Sequence, residues 1–191
     1  MSAGNLAAMA TTRERALAAA VTLVGEQGVR ALTHARVDAE AGLPKGSTSN
    51  WFRTRDALVE GVFVSIAEAE RVDLTAAMAP ASSIDDVIDA LCLLVEDFTG
   101  PHAVRTRARY ALLLETTATP VRQPTIRDQR SQFEQWLSGL LARFGAAEPD
   151  AGARAVLAVG AGLIVNRLTV APDAPVRPAV ALVVRACLPA H

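Results

Sequence analysis

The chain has 191 residues, of which 51% are apolar but only 4% aromatic, so Ala, Val and Leu must fill any core. Its net charge of −1 conceals segregation, because residues 1–55 carry +3, residues 56–100 carry −9 and the remainder carries +5. The near-neutral total therefore does not exclude a nucleic acid as partner, since the local field at an interface governs binding.

Composition also indicates fold class and compartment. Ala, Leu and Arg favour helices, and strand-like alternation with hairpin turns is nearly missing, so we predict an all-α fold. No basic stretch followed by a long apolar one marks a signal peptide. The longest apolar run, residues 155–165, is well short of the roughly 20 residues that span a bilayer. We expect a cytoplasmic protein without a membrane segment. Cys92 and Cys187 are then core residues, with a redox pair as the alternative.

The first elements follow from capping signals. Residues 1–10 show little capping or periodicity and are predicted to form a mobile arm. Thr11 or Thr12 can cap a first predicted helix, which runs to about Gln27 and is ended by Gly28. Thr33 can cap a second, short helix over residues 35–41.

A Gly-Leu-Pro turn, residues 42–44, leads into a third predicted helix over residues 45–52. This helix is polar and carries the only lysine of the chain. Phe52 should face the core, and Thr48, four residues earlier, shares its face. Two short helices joined by a Gly-containing turn make a helix-turn-helix, whose second helix lies in the DNA major groove.

The outer surface of the third helix suits DNA. It holds hydroxyls, an amide and an indole, with no carboxylate to repel phosphate. Asn50 can bond an adenine edge twice, for roughly 1–3 kcal/mol of discrimination, while Lys45 and Trp51 can reach phosphates. The alternative is a solvated polar helix in an unrelated bundle.

The remaining chain is punctuated by further breakers. A fourth helix follows Thr54, and later helices are predicted at about 83–98, 103–115, 125–144, 150–170 and 177–188. We divide the chain into the arm, a helix-turn-helix DNA-binding domain over 11–57, and a helical regulatory and dimerisation domain over 58–191.

From about Thr12 to Ile66 the chain resembles the DNA-binding domain of the tetracycline-repressor (TetR) family of bacterial regulators. The matching features are Thr33, Ala41-Gly42, Lys45-Gly46-Ser47, the closing aromatic Phe52, and Arg55-Asp56-Ala57-Leu58.

Three positions depart from the family pattern. Ala35 stands where members often carry an arginine, Thr48 where a leucine is usual and Ser49 where a tyrosine is usual. Individual base contacts should therefore differ from those of other members. Surface and resemblance together give the predicted DNA-contacting residues: Thr33, His34, Arg36, Lys45, Gly46, Ser47, Ser49, Asn50, Trp51, Arg53 and Arg55.

The resemblance implies a homodimer formed by the last two long helices and an effector pocket among the middle ones. Gly160 and Gly162 would allow close helix approach, although both helices could simply be monomer core. The candidate ligand residues, each also interpretable as structural, are His102, Arg105, Arg109, Tyr110, Glu115, Trp136 and Asn166.

These features predict a homodimeric, sequence-specific regulator, by default a repressor, that an unidentified small-molecule effector releases from a double-stranded DNA operator. The sequence has no HExxH, no GxSxG and no clustered metal-ligand spacing, so we predict no enzyme, no metal and no cofactor. The alternative is a helical adaptor with a non-functional DNA-binding half.

Overall fold

A computed structural model describes residues 11–78, 81–116 and 123–189, and these fold into helices and connecting turns. The predicted all-α class is confirmed, whereas the predicted arm, residues 1–10, lies outside the described residues. Within this described part, nine α-helices follow in chain order: α1 Thr12–Gln27, α2 His34–Glu40, α3 Ser47–Trp51, α4 Arg55–Met78, α5 Ile84–Thr99, α6 Ala103–Thr116, α7 Gln123–Arg143, α8 Pro149–Thr169 and α9 Arg177–Ala186.

Local sequence chemistry sets the helix ends. Thr11 caps α1 through a reciprocal capping box with Glu14, and Ser83 does the same for α5 with Asp86. Such pairs satisfy backbone N–H groups that have no partner inside the helix. Gly28 follows α1 with a φ of 80°, a conformation that glycine adopts without a steric penalty.

The chain divides into two compact units. In the described part, unit 1 combines residues 11–68 with 104–116, and unit 2 combines residues 69–103 with 123–189. Helix α4 therefore contributes residues to both units. The sequence-based boundary after residue 57, which separates functions rather than compact bodies, stays a prediction.

Unit 1 is built around α1, which packs against α2 and α3. Helix α6 also approaches α1 closely, since a Cβ on Gly25 would lie 2.2 Å from the Val104 carbonyl oxygen. The buried side chains of this unit include Ala16, Ala20, Leu23, Val24, Leu32, Val37, Leu58, Val59, Val62, Ile66, Ala108 and Leu112.

Unit 2 packs α7 against α8, and α5 against both α8 and α9. Its buried side chains include Val87, Ile88, Leu91, Val95, Leu137, Leu140, Leu141, Val156, Ile164, Val180 and Val184. Helix α8 is long and apolar enough to cross a bilayer by length and composition, a test that the core helix of a folded domain also meets. It packs against three other helices of the unit, α5, α7 and α9, and 22% of its apolar window is buried in the single chain.

Candidate nucleic-acid interface

The two helices predicted to form the helix-turn-helix are present in unit 1. The Thr33 side chain accepts a hydrogen bond from the Arg36 N–H and so caps α2. Gly42 then turns the chain with a φ of 59°, and Gly46 adopts a φ of 93° directly before α3. Because of that second left-handed glycine, α3 begins at Ser47 rather than at Lys45, which corrects the predicted start of the helix.

The faces of α3 divide as the sequence predicts. Thr48 is fully buried and Phe52, just after the helix, is 6% exposed. On the opposite side Asn50 is exposed and Trp51 is 55% exposed, and Lys45 is exposed at the entrance. The helix therefore presents an amide and an indole to the outside, and a cation lies just before its start.

Three of the eleven predicted DNA-contacting residues, His34, Gly46 and Ser47, are half-buried, and the other eight are exposed. The structure also shows which side chains are already engaged within the chain. His34 Nε2 donates to the Phe52 carbonyl over 2.6 Å, and Ser49 Oγ donates to the Gly46 carbonyl over 2.8 Å.

Two of the predicted DNA-contacting arginines also have partners. The Arg36 guanidinium donates to the Gln27 side-chain carbonyl, and Arg55 donates to the Val29 carbonyl over 3.2 Å. Both side chains are exposed, so these bonds can be exchanged for phosphate at little cost. Arg53 is exposed beside them.

A buried carboxylate at the centre of the motif was missed by the sequence analysis. Asp38 in α2 is 4% exposed and accepts from the Gly46 N–H at 2.7 Å, the Thr48 N–H at 2.8 Å and the Thr48 hydroxyl at 2.5 Å. Burial alone would raise the pKa of this carboxyl, but the donors on Thr48 and Gly46, together with His34, hold the pKa below its usual value. The group is therefore an ionised acceptor at neutral pH.

Helix α1 supports the motif through two arginines. Arg15 donates to the Ala41 carbonyl at 2.7 Å and the Gly42 carbonyl at 3.3 Å, which satisfies the end of α2. The Arg13 guanidinium carbon lies 5.7 Å from the centre of the Phe52 ring, a cation–π distance. Neither arginine was predicted from the sequence to have a role.

The candidate ligand residues are divided between the two units. Arg105, Arg109, Tyr110 and Glu115 belong to unit 1, where the Arg109 guanidinium carbon lies 6.0 Å from the centre of the Tyr110 ring. The others belong to unit 2: His102, Trp136 and Asn166. Their shared role in one pocket stays a prediction.

The unit 2 candidates make contacts of their own. Trp136 is 38% exposed and stacks on Phe133 with ring centres 5.7 Å apart. His102 bonds the Asp97 carboxylate at 2.8 Å, and potential ligand atoms of these two residues and Asp73 lie within 4.8 Å of one another. Partly exposed carboxylates commonly group in this way without a metal, so we assign no metal site to this trio.

The comparisons with known proteins place this geometry in a family. Residues 82–190 match the family model described as "Tetracyclin repressor-like, C-terminal domain", which covers more than half of the chain. The chain belongs to the TetR family. This match complements the N-terminal resemblance, which ends near Ile66, so the two halves of the chain independently indicate one family of DNA-binding transcriptional regulators with a ligand-binding domain.

Solved structures agree with this assignment. A TetR-family protein of Streptomyces coelicolor A3 is 26% identical, with a TM-score of 0.73 over 95% of this chain and 100% of that chain. The multidrug binding protein EbrR in complex with ethidium is 27% identical, with a TM-score of 0.68 over 91% and 96%. A transcriptional regulator from Rhodococcus sp. Rha1 is 20% identical with a TM-score of 0.78 over 93% and 96%, which is a likeness of fold alone. No functionally curated protein matches the chain.

Proposed function

We propose that this TetR-family chain is a cytoplasmic homodimer that binds a specific double-stranded DNA operator through α3, acts as a repressor, and leaves the operator when a small-molecule effector binds. The observation that carries the proposal is the exposed face of α3. It offers Asn50 to a base edge and Trp51 to the backbone, with Lys45 just before the helix, while Thr48 and Phe52 anchor the opposite face in the core.

The electrostatics of this face favour a polyanion. Helix α3 contains no acidic residue, and the carboxylate that is hydrogen-bonded to its start, Asp38, is buried and occupied by three donors. Phosphates approaching Lys45 or Arg53 therefore meet exposed cations and not an exposed acid of α3. Neutralised phosphates release counterions, so binding should weaken steeply with salt.

Dimerisation is supported by apolar surface on the last two helices. Val165 of α8 is 43% exposed, Leu182 of α9 is 74% exposed, and Val170, just after α8, is 79% exposed. A two-fold symmetric pair can bury such surface and presents two recognition helices to paired half-sites. We propose α8 and α9 as the dimer interface.

For the effector, we propose compounds to test and no binding residues. EbrR is a multidrug binding protein whose complexes include ethidium and malachite green. We propose these two dyes as the first compounds to test for release of this chain from its operator. An effector can shift the equilibrium only if it has different affinities for the DNA-bound and the released conformations.

A protected-site assay on genomic DNA, followed by titration of the protected fragment at several salt concentrations, tests the DNA-binding proposal. Asn50→Ala should reduce sequence preference, and Lys45→Ala should weaken binding to all sequences and lower the salt slope by about 1. Arg143→Ala, an exposed cation at the end of α7, is the matched control and should bind as the parent does. An intact dimer that protects no site would favour the adaptor alternative.

A further inference from the structure

Helix α3 cannot cap its own N-terminus. It is five residues long, and its N-cap residue, Gly46, has no side chain to accept from the first backbone N–H groups. A helix this short is unstable in isolation, because few hydrogen bonds offset the cost of nucleation. The segment that would contact DNA therefore depends on partners outside itself.

The missing acceptor comes from the preceding helix. The Asp38 carboxylate receives the N–H groups of Gly46 and Thr48, and the N–H of Ser47 donates to the Pro44 carbonyl at 3.1 Å. The first three N–H groups of this turn are thus all satisfied. The negative charge also lies at the positive end of the α3 dipole.

We infer that Asp38 is a positioning residue for DNA recognition, whose buried carboxylate fixes the start of α3 and so the direction in which Asn50 and Trp51 project. This inference rests on the proposed function. The Asp38 carboxylate does not contact DNA itself. It acts through its hydrogen bonds with Gly46 and Thr48. The left-handed Gly46 belongs to the same arrangement, because its φ of 93° lets its N–H point back toward α2.

The direction in which neutralisation of Asp38 changes DNA affinity distinguishes a positioning role from a purely electrostatic role. If Asp38 acted only as a negative charge near DNA, its neutralisation would reduce repulsion of phosphate and tighten binding. If it positions α3, neutralisation must weaken specific binding. The two accounts therefore predict opposite changes for Asp38→Asn, which keeps the size of the side chain but replaces one acceptor oxygen with a donor.

The experiment compares variants of the full-length protein on the protected DNA fragment and on a scrambled fragment of equal length. For Asp38→Asn we expect roughly a ten- to a hundredfold loss of specific affinity, in line with charge-assisted hydrogen bonds. Affinity for the scrambled fragment should change little. Glu40→Gln, an exposed carboxylate in the same helix, is the charge-matched control and should bind at least as tightly as the parent.

A second pair of variants tests the donor residue of the hydrogen bond, Thr48. These variants remain informative if the Asp38→Asn protein does not fold. Thr48→Val removes the hydroxyl but keeps the buried shape, and Thr48→Ser keeps the hydroxyl. We expect a smaller loss of specific affinity for Thr48→Val and recovery in Thr48→Ser. A variant that is merely less stable would lose affinity for both DNA fragments alike, which is the result that assigns Asp38 a structural role only.

Hydrogen exchange supplies a readout without DNA. The amides of Gly46 and Thr48 should exchange faster in Asp38→Asn, while the amides of α1 keep the protection of the parent. Parent-like exchange at those two amides overturns the inference whether or not the protein binds an operator. Absence of any protected site for the parent protein would instead contradict the proposed function.

Discussion

Gly25 lets α1 and α6 approach each other at backbone distance, and its replacement by alanine gives a sharp test of packing in unit 1. The added Cβ would lie 2.2 Å from the Val104 carbonyl oxygen, 2.7 Å from its Cγ1 and 2.9 Å from its carbonyl carbon. A relaxed carbon–oxygen contact is about 3.3 Å, so the two helices must separate by about 1 Å. Two of the three opposing atoms are backbone atoms and cannot rotate away.

The magnitude follows from two opposing effects. Overpacking a close contact costs typically about 1–3 kcal/mol, and this contact belongs at the upper end because backbone meets backbone. Replacing a helical glycine by alanine favours the helix by about 1 kcal/mol. Gly25→Ala should therefore lower the free energy of unfolding by about 2 kcal/mol, or reduce the melting temperature by roughly 4–8 °C for a chain of this size.

Gly139 in α7 provides the matched control. It is also a helical glycine, but no atom lies within 4 Å of the position that its Cβ would take. Gly139→Ala should therefore raise the free energy of unfolding by up to about 1 kcal/mol. The same Gly→Ala substitution should thus lower the free energy of unfolding in α1 and raise it in α7.

Urea unfolding at one fixed protein concentration measures both effects, because the stability of a dimer depends on concentration. Equal or greater stability for Gly25→Ala would refute the close approach of α1 and α6. A loss of stability for Gly139→Ala would show that another surface covers that face of α7.

Three further predictions concern titration, thiols and the dimer. The lowered pKa of Asp38 means that its stabilisation is present above the unfolded pKa of about 3.9 and is lost as pH falls through the lower folded pKa. Acid unfolding should thus be shallower below about pH 4 for Asp38→Asn than for the parent, and superimposable curves would contradict this. Burial raises the pKa of the Cys92 and Cys187 thiols, so iodoacetamide at pH 7 should label them more slowly in the folded protein than in urea; equal rates would show that the fold does not protect either thiol. Gly162 is exposed in the single chain with open space at its Cβ position, so Gly162→Ala should weaken dimerisation measured by sedimentation, and an unchanged dissociation constant would place the interface elsewhere.

Much of the fold could be predicted because helix boundaries are set locally. A threonine cap and the breaker at Gly28 act on neighbouring backbone groups; of the two predicted caps, Thr11 and Thr12, the structure uses Thr11, and α1 ends before Gly28 as predicted. The same holds for α5, which starts after the Ser83 cap and ends before Gly100. The inward direction of Phe52 was predicted from its apolar aromatic side chain, and that of Thr48 from its helical spacing to Phe52.

Contacts between distant residues were not predicted, since no local pattern encodes them. Asp38 was overlooked because an aspartate in a short helix is usually solvated, and its donors lie eight and ten residues farther along the chain. One signal was available: a third helix that opens on glycine needs an acceptor from elsewhere. The approach of Gly25 to Val104 joins residues even farther apart, and no spacing rule indicates it.

The distribution of charge explains how a chain of net charge −1 can carry a DNA-binding surface. Two acids of the strongly negative segment form ion pairs with arginines inside unit 2: Asp85 with Arg185 at 3.0 Å, and Asp89 with Arg177. Exposed pairs of this kind add little stability, but each places a positive charge beside a carboxylate and so reduces the local negative charge. In unit 1 the acid next to α3 is buried and satisfied, so it orders the helix without presenting its charge to phosphate. The field at the α3 surface therefore depends on the local charges of the motif, which include the exposed cations Lys45 and Arg53, and not on the total charge.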